Sequence, residues 1–197
     1  TKVRLRNGDS IAASTVVLAM GPWSQQAADW LGWQIPIYPV RGQLLELRVP
    51  EPPLQASLSH HGMYLVHKAN GITLAGTTEE HDSGFVTQPT AEGRQKILEA
   101  ALAMAPSLED AQVTGHICGL RPCAADQLPL LGPVPGWQGL YMTAGHFRSG
   151  MLLSAMSTRI VADLIMHGQS PLPIAAFHPG RFGPKRPSKE YSITHRK

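Results

Sequence analysis

The apolar residues of this chain fall into short runs separated by turn signals, and the first runs predict a hairpin, a strand and a helix. Asn7-Gly8 is a two-residue turn signal between segments that contain apolar residues, so a β-hairpin is expected there. The run "TVVLAMG", closed by Gly21, has the pattern of a strand buried on both faces. A short helix should follow in "SQQAADWLGW", with Ser24 as its N-cap and Gly32 at its end.

The middle of the chain is rich in strand patterns and contains one helix pattern. "IYPVRGQLLELRV" alternates in part, and "GMYLVHKANGITLAGTT" predicts two strands joined at Asn70-Gly71. Thr90 should begin a helix that Pro106 closes. The apolar residues predicted for one face of this helix are Ile97, Leu98, Ala101 and Leu102. "AQVTGHICGLRP" predicts a further strand.

The last apolar segments predict a strand, "GLYMTAG", that leads into a long helix, "MLLSAMSTRIVADLIMHG", which Gly168 ends. The apolar positions that recur at helical spacing are Leu152, Met156, Ile160 and Leu164. The first and last strand–helix units therefore predict pieces of one α/β domain, with an α+β insert between them. The expected segments are 1–36 and 137–180 for the α/β pieces, 37–136 for the insert and 181–197 for a tail.

The composition describes a globular protein whose excess charge lies at one end. Hydrophobic residues make up 43% of the chain and charged residues 16%. The net charge is +3, but six Lys or Arg and one Glu lie from Arg181 onward, so a basic, disordered tail is expected. Since no aromatic platform or basic helix accompanies it, we expect no nucleic-acid partner. No uninterrupted apolar stretch approaches the roughly 18–20 residues of a membrane span, so none is expected.

Cysteine and histidine usage argues against a metal site or a disulfide framework. The chain contains two cysteines, Cys118 and Cys123, which is too few for a disulfide framework or a four-ligand zinc site. Such scarcity suits a reducing cytoplasm. The nine histidines are scattered, and the adjacent pair His60-His61 would point to opposite faces of a strand. We therefore expect no bound metal.

The hexapeptide "GHFRSG", Gly145–Gly150, lies where the last strand turns into the last helix. A helix N-terminus presents unpaired N–H groups and partial positive charge, and glycines let a flat group approach the backbone. Ser149 and Gly150 could direct N–H groups at an anion or a polar ring edge, and Arg148 adds a fixed charge. On its own, the hexapeptide also fits a tight strand-to-helix turn with a surface arginine.

Two more residues are candidates for binding. Arg121, in "GLRPCAADQLPLLGPVPG", follows a predicted strand, and arginine is the natural bidentate partner of a carboxylate. A surface ion pair is the alternative for this residue. Tyr64, in "MYLVHK", is a strand aromatic whose alternative role is to fill the sheet or core.

Five stretches, taken in order, resemble one family. They are "VVLAMGPWS", "PVRGQLLEL", "MYLV…GITLAGTTEE", "GLRP…D..PLLGPVP" and "GLYMTAGHFRSGMLLSAMSTRIVADLI". Together they resemble the FAD-dependent amine and D-amino-acid oxidoreductases, which include glycine oxidases, D-amino-acid dehydrogenases and sarcosine oxidases. The resemblance implies the C-terminal part of a two-domain flavoprotein fold. A mixed β-sheet substrate domain would be flanked by remnants of the FAD-binding Rossmann-like domain.

The resemblance also implies FAD as the cofactor and assigns contacts to it. Gly21 and Trp23 match the family segment beside the dinucleotide, and the hexapeptide matches the segment along the pyrimidine edge of the isoalloxazine ring. The implied cofactor contacts there are Gly145, His146, Arg148, Ser149 and Gly150 of the hexapeptide, together with the next residue, Met151.

The implied substrate is a small amino acid or secondary amine. Arg121 matches the family arginine that pairs with the substrate carboxylate, Tyr64 matches a tyrosine that reaches the same group, and Arg148 matches a second basic residue near the ring. The family reaction is hydride transfer from the substrate Cα–H to flavin N5, which gives an imine. Positioning and electrostatics carry most of such a reaction, so no strong catalytic base is expected.

The chain also departs from the family pattern. His67 stands where a proline is common, Met20 replaces a smaller residue, and Cys118 and Cys123 do not match the cysteine to which some relatives tether flavin. The GxGxxG unit that grips the FAD pyrophosphate is absent from these residues. We therefore expect a C-terminal portion, inactive alone, that associates with a missing N-terminal half or with itself. The alternative is a non-catalytic subunit or interaction module that needs a partner chain.

Overall fold

The computed structural model describes residues 2–49 and 54–182, and these residues form two compact units. The first unit comprises the chain up to Tyr38 and from Arg121 onward, and the second comprises Pro39–Leu120. Helices combine with three separate sheets, which confirms the predicted mixture of α/β and α+β parts. Beyond Phe182, the predicted tail lies outside the described residues.

A three-stranded sheet in the order β3-β10-β9 forms the centre of the first unit. Its strands are β3 (Val16–Leu18), β9 (Leu130–Pro133) and β10 (Leu140–Ala144). The middle strand β10 is parallel to β3 and antiparallel to β9, so the sheet is mixed. Because β3 and β10 are parallel neighbours, the loops that follow them leave from the same edge of the sheet.

The N-terminal hairpin consists of β1 (Lys2–Arg4) and β2 (Ser10–Ala12), as the Asn7-Gly8 signal predicts. The Leu5 carbonyl accepts the N–H of Gly8 at 3.0 Å and closes the turn. Val17 of β3 is 40% exposed, so the expectation that this strand is buried on both faces was wrong. The reason is that β3 lies at the edge of its sheet, and its core contact is made by Leu18.

The helix predicted after β3 begins differently from the prediction. A 3₁₀ helix covers Gly21–Ala27, and α1 (Ala28–Leu31) follows and ends at Gly32 as expected. Ser24 is not an N-cap: it lies inside the 3₁₀ segment, where its hydroxyl donates to the Gly21 carbonyl at 2.7 Å. The helical segment begins earlier because Pro22 occupies its first turn, where the fixed φ of proline is favourable.

The long helix α3 (Gly150–His167) has a buried half and an exposed half. Ile160 and Leu164 pack with Leu131 of β9, whereas Leu152 is 84% exposed and Met156 is 51% exposed. The predicted apolar stripe is therefore correct for only the second half of the helix. The helical spacing defines the face, but in the described residues the sheet provides packing partners only for the later turns.

One helix of the described chain meets the length and hydropathy expected of a membrane span. It covers Phe147–His167, and 28% of an 18-residue window within it is buried. Its buried face packs on β9 and β10, which is the packing of a helix that follows a strand in an α/β unit. Length and composition are the whole of the evidence for a span.

The second unit is a five-stranded sheet in the order β5-β6-β7-β4-β8 with one helix against it. The strands are β4 (Ile37–Arg48), β5 (Leu58–His60), β6 (Met63–His67), β7 (Ile72–Gly76) and β8 (Gln112–Ala124). The pairs β5–β6, β6–β7 and β7–β4 are antiparallel. The core between sheet and helix contains Leu45, Leu47, Met63, Leu65, Ala75, Ile97 and Ala101.

The helix of the second unit, α2 (Ala91–Met104), begins where the sequence predicts. The Thr90 hydroxyl accepts the N–H of Gly93 at 3.1 Å, which satisfies one unpaired donor of the first turn. Ile97 and Ala101 are buried, but Leu102 is 39% exposed, so its predicted place on the buried face was wrong. Leu102 lies one residue beyond Ala101, which turns it about 100° away from that face.

The compact units divide the chain near Tyr38 and at Leu120, whereas the sequence analysis drew the boundaries at 36 and 136. The segment 121–136 belongs to the first unit because it contains β9, which pairs with β10. The Ala125 N–H also donates to the Pro36 carbonyl at 2.9 Å. The roles of the two units as cofactor and substrate domains stay predictions.

Candidate functional site

The turn between β10 and α3 is built on a glycine that no other residue could replace without strain. Gly145 has a left-handed φ of +80°. A Cβ at this position would lie 3.2 Å from the Cβ of Ala124 and 3.4 Å from a methyl group of Leu130. The backbone conformation and the close packing both require glycine here. The chain can therefore turn tightly at the carboxyl end of β10.

His146 follows and has its ring turned toward the helix. Its Nε2 lies 2.9 Å from the hydroxyl of Ser157, which is 5% exposed. The ring is half-buried, and burial lowers the pKa of His146 below its ordinary value of 6.5. The predicted contact of His146 with a cofactor stays a prediction, and the structure gives its ring a partner within the chain.

The segment Phe147–Ser149 is a 3₁₀ turn that leads into α3. Phe147 has a φ of +49°, a left-handed conformation that is costly for a side chain of this size. The N–H of Ser149, which the sequence analysis expected to point at a ligand, donates instead to the His146 carbonyl at 3.0 Å. Arg148 and Ser149 are exposed, and no side chain caps the N-terminus of α3.

Two apolar side chains of the first turn of α3 face solvent. Met151 is 94% exposed, and Leu152 is 84% exposed. Apolar surface of this extent at a helix start is costly unless something covers it. The combination of apolar side chains and positive helix-end charge suits a ligand that is apolar on its face and polar at its edge.

The loop after β3 lies at the same edge of the sheet as the loop after β10. Gly21 begins its 3₁₀ helix with a φ of +55°, and nothing lies within 4 Å of where its Cβ would be. Trp23 is 48% exposed. The structure therefore brings Gly21 and Trp23 to the carboxyl edge that also carries Gly145. In α/β sheets, ligands bind outside the carboxyl ends of the strands.

The predicted substrate residues lie in both units. Arg121 is a half-buried residue of β8 at the start of the returning segment of the first unit, which also contains the exposed Arg148. Tyr64 lies on β6 of the second unit, directly opposite Gly76 of β7. Its neighbours Met63 and Leu65 are buried against α2, so Tyr64 faces the other side of the sheet. The convergence of these residues on one substrate stays a prediction.

A buried polar network in the second unit is not evident from the sequence. The carboxylate of Glu80 accepts from Arg41 Nε at 2.7 Å and from Gln43 Nε2 at 2.6 Å, and it also accepts from the hydroxyl of Thr78. Burial raises the pKa of Glu80, but the hydrogen bonds from Thr78, Gln43 and Arg41 outweigh it, so the pKa is lowered. Gln43 also connects to the start of α2, because its Oε1 accepts the Thr90 N–H at 2.8 Å.

A second feature that sequence analysis missed ties the last described residues to the loop before β9. Arg181 donates to both carboxylate oxygens of Asp126, at 2.7 and 3.0 Å, and to the Leu128 carbonyl at 2.6 Å. The hydrogen bond from Arg181 is the main reason that the pKa of Asp126 is lowered. Asp126 and Arg181 are 55 residues apart, so no local pattern could have indicated the pair.

The fold consists of an α/β unit, with two loops at one carboxyl edge of its sheet, and an α+β unit. Residues 1–164 match the family described as FAD dependent oxidoreductase (DAO). The chain therefore belongs to the FAD dependent oxidoreductase family, and FAD is the cofactor that this family implies.

Relatives and solved structures agree with this assignment. The chain is 35% identical to the glycine oxidase of Pseudomonas putida over 88% of this chain and 47% of that protein. It is similar to the crystal structure of glycine oxidase from Geobacillus kaustophilus, with a TM-score of 0.80, 33% identity, and coverage of 89% and 47%. It is also similar to iminodiacetate oxidase from Chelativorans sp. BNC1, with a TM-score of 0.85, 28% identity, and coverage of 90% and 49%. The chain thus spans about half the length of these relatives.

The residues at the carboxyl edge fit an isoalloxazine ring. The ring is a flat apolar surface with a polar edge, and reduction places negative charge on that edge. Met151 and Leu152 offer exposed apolar contact, and the uncapped N-terminus of α3 offers positive potential. In the described residues no group of three or more His, Cys, Asp or Glu could hold a metal ion.

Proposed function

We propose that this chain provides the ring-facing and substrate-facing parts of an FAD-dependent oxidoreductase that oxidises small amino acids or secondary amines. The observation that carries the proposal is the shared carboxyl edge of β3 and β10. There, two glycine-initiated loops leave the same edge, and one of them leads into the exposed apolar first turn of α3. Family membership supplies the cofactor.

The proposed cofactor residues divide into two groups. Gly21 and Trp23 would lie along the dinucleotide. The residues proposed for the ring edge are Gly145, His146, Arg148, Ser149, Gly150 and Met151. Bound FAD supplies a hydride acceptor at N5. The helix N-terminus and the guanidinium of Arg148 would stabilise the negative charge that the ring gains on reduction.

The proposed substrate residues act on a carboxylate. Arg121 pairs with it through two parallel hydrogen bonds, Tyr64 donates its phenol O–H to it, and Arg148 adds positive charge. Held in this way, the substrate presents its Cα–H in one orientation, so most of the catalysis comes from positioning. The substrate amine would react in its neutral form. Loss of a hydride from Cα–H would then leave a protonated imine, which releases one proton to give the imine product.

The proposed substrate class is supported by what the relatives act on. Glycine oxidase and iminodiacetate oxidase are named for small molecules that combine an amine with a carboxylate. We infer glycine or an N-substituted glycine as the first substrates to test. The scarcity of cysteine, two in 197 residues, favours a cytoplasmic setting.

Turnover is proposed to need more than these residues. No GxGxxG unit occurs in the 197 residues, so the pyrophosphate of FAD lacks its usual helix N-terminus here. We propose that the chain alone is inactive and that a nucleotide-binding unit completes it. The exposed side chains of α3 also favour the alternative of a non-catalytic subunit that a partner covers.

An anaerobic reduction experiment tests the proposed function. The chain and FAD are mixed with glycine, sarcosine or iminodiacetate, with and without the separately produced N-terminal half of the Pseudomonas putida glycine oxidase. Bleaching of the visible flavin absorbance is expected only when that half is present. If the complete mixture binds FAD but none of these amines reduces the flavin, the proposed oxidoreductase activity is contradicted and the alternative of a non-catalytic subunit is favoured.

A matched pair of variants locates the substrate carboxylate in the same assay. Arg121→Met should raise the substrate concentration for half-maximal reduction by on the order of a hundredfold, because the carboxylate loses a charged, bidentate partner. Arg4→Met removes an exposed arginine of β1 and is the control. Equal effects of the two substitutions would exclude the proposed role of Arg121.

A further inference from the structure

We propose that His146 is a positioning residue that holds the start of α3 and the end of the Arg121 strand in one fixed arrangement. This inference rests on the proposed function, because these two segments carry the proposed ring-edge and carboxylate-binding residues. It assigns to His146 a role inside the chain, in addition to its proposed place at the ring edge, that does not depend on contact with the ring or the substrate. Three separate connections support it, and all of them lie in the first unit.

The first connection is made by the imidazole ring. Nε2 of His146 lies 2.9 Å from the Ser157 hydroxyl, and Ser157 is 5% exposed. Ser157 is seven residues after Gly150, so the ring reaches two turns into α3. This contact fixes the residue before the helix to the body of the helix. It also gives a buried hydroxyl a partner, whose loss would be costly.

The second connection is made by the backbone. His146 forms an isolated antiparallel β-bridge with Cys123 at the end of β8. Cys123 is fully buried and lies two residues after Arg121, so its backbone position determines where the arginine strand ends. Side chains two residues apart on a strand share a face. A displacement of His146 would therefore be passed to the strand that carries Arg121.

The third connection closes the turn itself. The His146 carbonyl accepts the N–H of Ser149 at 3.0 Å, which forms the 3₁₀ turn in front of α3. The position where Gly150 would carry a Cβ lies 3.6 Å from the Cβ of His146. One residue thus holds the helix body through its ring, the β8 strand through its backbone, and the intervening turn through its carbonyl.

Backbone NMR of the ¹⁵N-labelled chain without cofactor tests this positioning role. The signals to follow are the amides of Arg121 and Cys123 on one side and those of Phe147–Gly150 on the other. His146→Leu should shift both sets, because it keeps volume but removes the ring hydrogen bond. His146→Gln should restore both sets, because the glutamine amide can donate to Ser157. Ser157→Ala, a milder change, should shift both sets as His146→Leu does.

A stability control separates positioning from a general loss of packing. Leu164→Ala removes a buried side chain near the other end of α3 and should lower stability while the two sets of amides keep their positions. Shifts confined to α3 in His146→Leu, with Arg121 and Cys123 unmoved, would overturn the proposal. Failure of His146→Gln to restore the signals would also overturn it, since the ring hydrogen bond would then not be the anchor.

Titration with FAD of the same variants connects the positioning role to the proposed function. His146→Leu should weaken FAD binding by about tenfold, the effect of losing one buried hydrogen bond, and His146→Gln should largely restore it. If the unmodified chain gives no saturable response to FAD, the proposed function fails at this step. The NMR comparison still decides whether His146 couples the two segments, so the two failures are distinguishable.

Discussion

Gln43 is fully buried, and both ends of its side-chain amide are used. The Nε2 group donates to Glu80 and Thr90, and Oε1 accepts the N–H of Thr90. This arrangement leaves no room above Gly93, where a Cβ would lie 2.3 Å from Nε2. Two residues 50 positions apart therefore constrain each other, although the end of a glutamine side chain is ordinarily free to move.

We expect Gly93→Ala to destabilise the chain, against the helix propensity of alanine. Propensity alone would favour alanine by about 1 kcal/mol. Displacing the Gln43 amide would instead cost roughly 1–3 kcal/mol through its buried hydrogen bonds. Urea unfolding measures the difference. Gly119→Ala, at a position with nothing within 4 Å of the Cβ, is the control. In a Gln43→Ala background, the amide is gone and Gly93→Ala should become stabilising. If Gly93→Ala still lowered stability in that background, a clash with Gln43 could not be the cause.

Because of Glu80, the free energy of unfolding should depend on pH in a predictable direction. Its pKa in the folded chain is below the ordinary value of 4.5, so below that pH the unfolded chain binds protons first. The stabilisation from Glu80 is complete above pH 4.5 and is lost as the pH falls through the lowered pKa. The free energy of unfolding, measured with urea across this pH range, should depend less steeply on pH in Glu80→Gln than in the unmodified chain. Glu99→Gln removes an exposed carboxylate of α2 and is the comparison.

Among the elements, α3 combines two functions in one helix. Its second half is a core element, where Ile160 and Leu164 pack against β9. Its first half presents Met151 and Leu152 to solvent and begins without a side-chain cap. Core packing and the proposed ligand contact would therefore be separated along the helix axis.

Alanine substitutions in the two halves of α3 should have opposite consequences. Leu164→Ala should destabilise the chain by about 2–4 kcal/mol because it leaves a cavity in the core. Leu152→Ala should change stability by less than about 0.5 kcal/mol, since the side chain is 84% exposed, but it should weaken FAD binding. Thermal unfolding and FAD titration of both variants measure the two effects. A large loss of stability in Leu152→Ala with unchanged FAD binding would contradict this division.

Local signals in the sequence predicted the elements well where the cause is local. The Asn-Gly turns at 7–8 and 70–71, the Thr90 cap and the helix ends at Gly32 and Gly168 all follow from short-range backbone chemistry. The capping role of Ser24 was wrong, because Pro22 favours an earlier helical start. β5 and β9 were not predicted, because β5 contains a single apolar residue and β9 contains Gly132 and Pro133, which are turn signals.

At the scale of the whole molecule, the missing information is long-range. Periodicity shows which residues share a face of α3, but not how far the sheet extends beneath it, so it does not indicate that Leu152 and Met156 are exposed. The Gln43–Thr90 and Arg181–Asp126 contacts join residues 47 and 55 positions apart, and nothing local indicates them. The family was nevertheless evident from the sequence, because the ring-edge hexapeptide and its flanking strand and helix are continuous in the chain.

The central claim is that the carboxyl edge of β3 and β10 binds the flavin ring, and a difference-absorbance titration with FAD tests it most directly. The account predicts a saturable shift of the visible flavin bands, weak in the chain alone because these residues contain no GxGxxG unit. The same shift should be reduced in Leu152→Ala. A folded chain that leaves the flavin spectrum unchanged up to millimolar FAD would contradict the account.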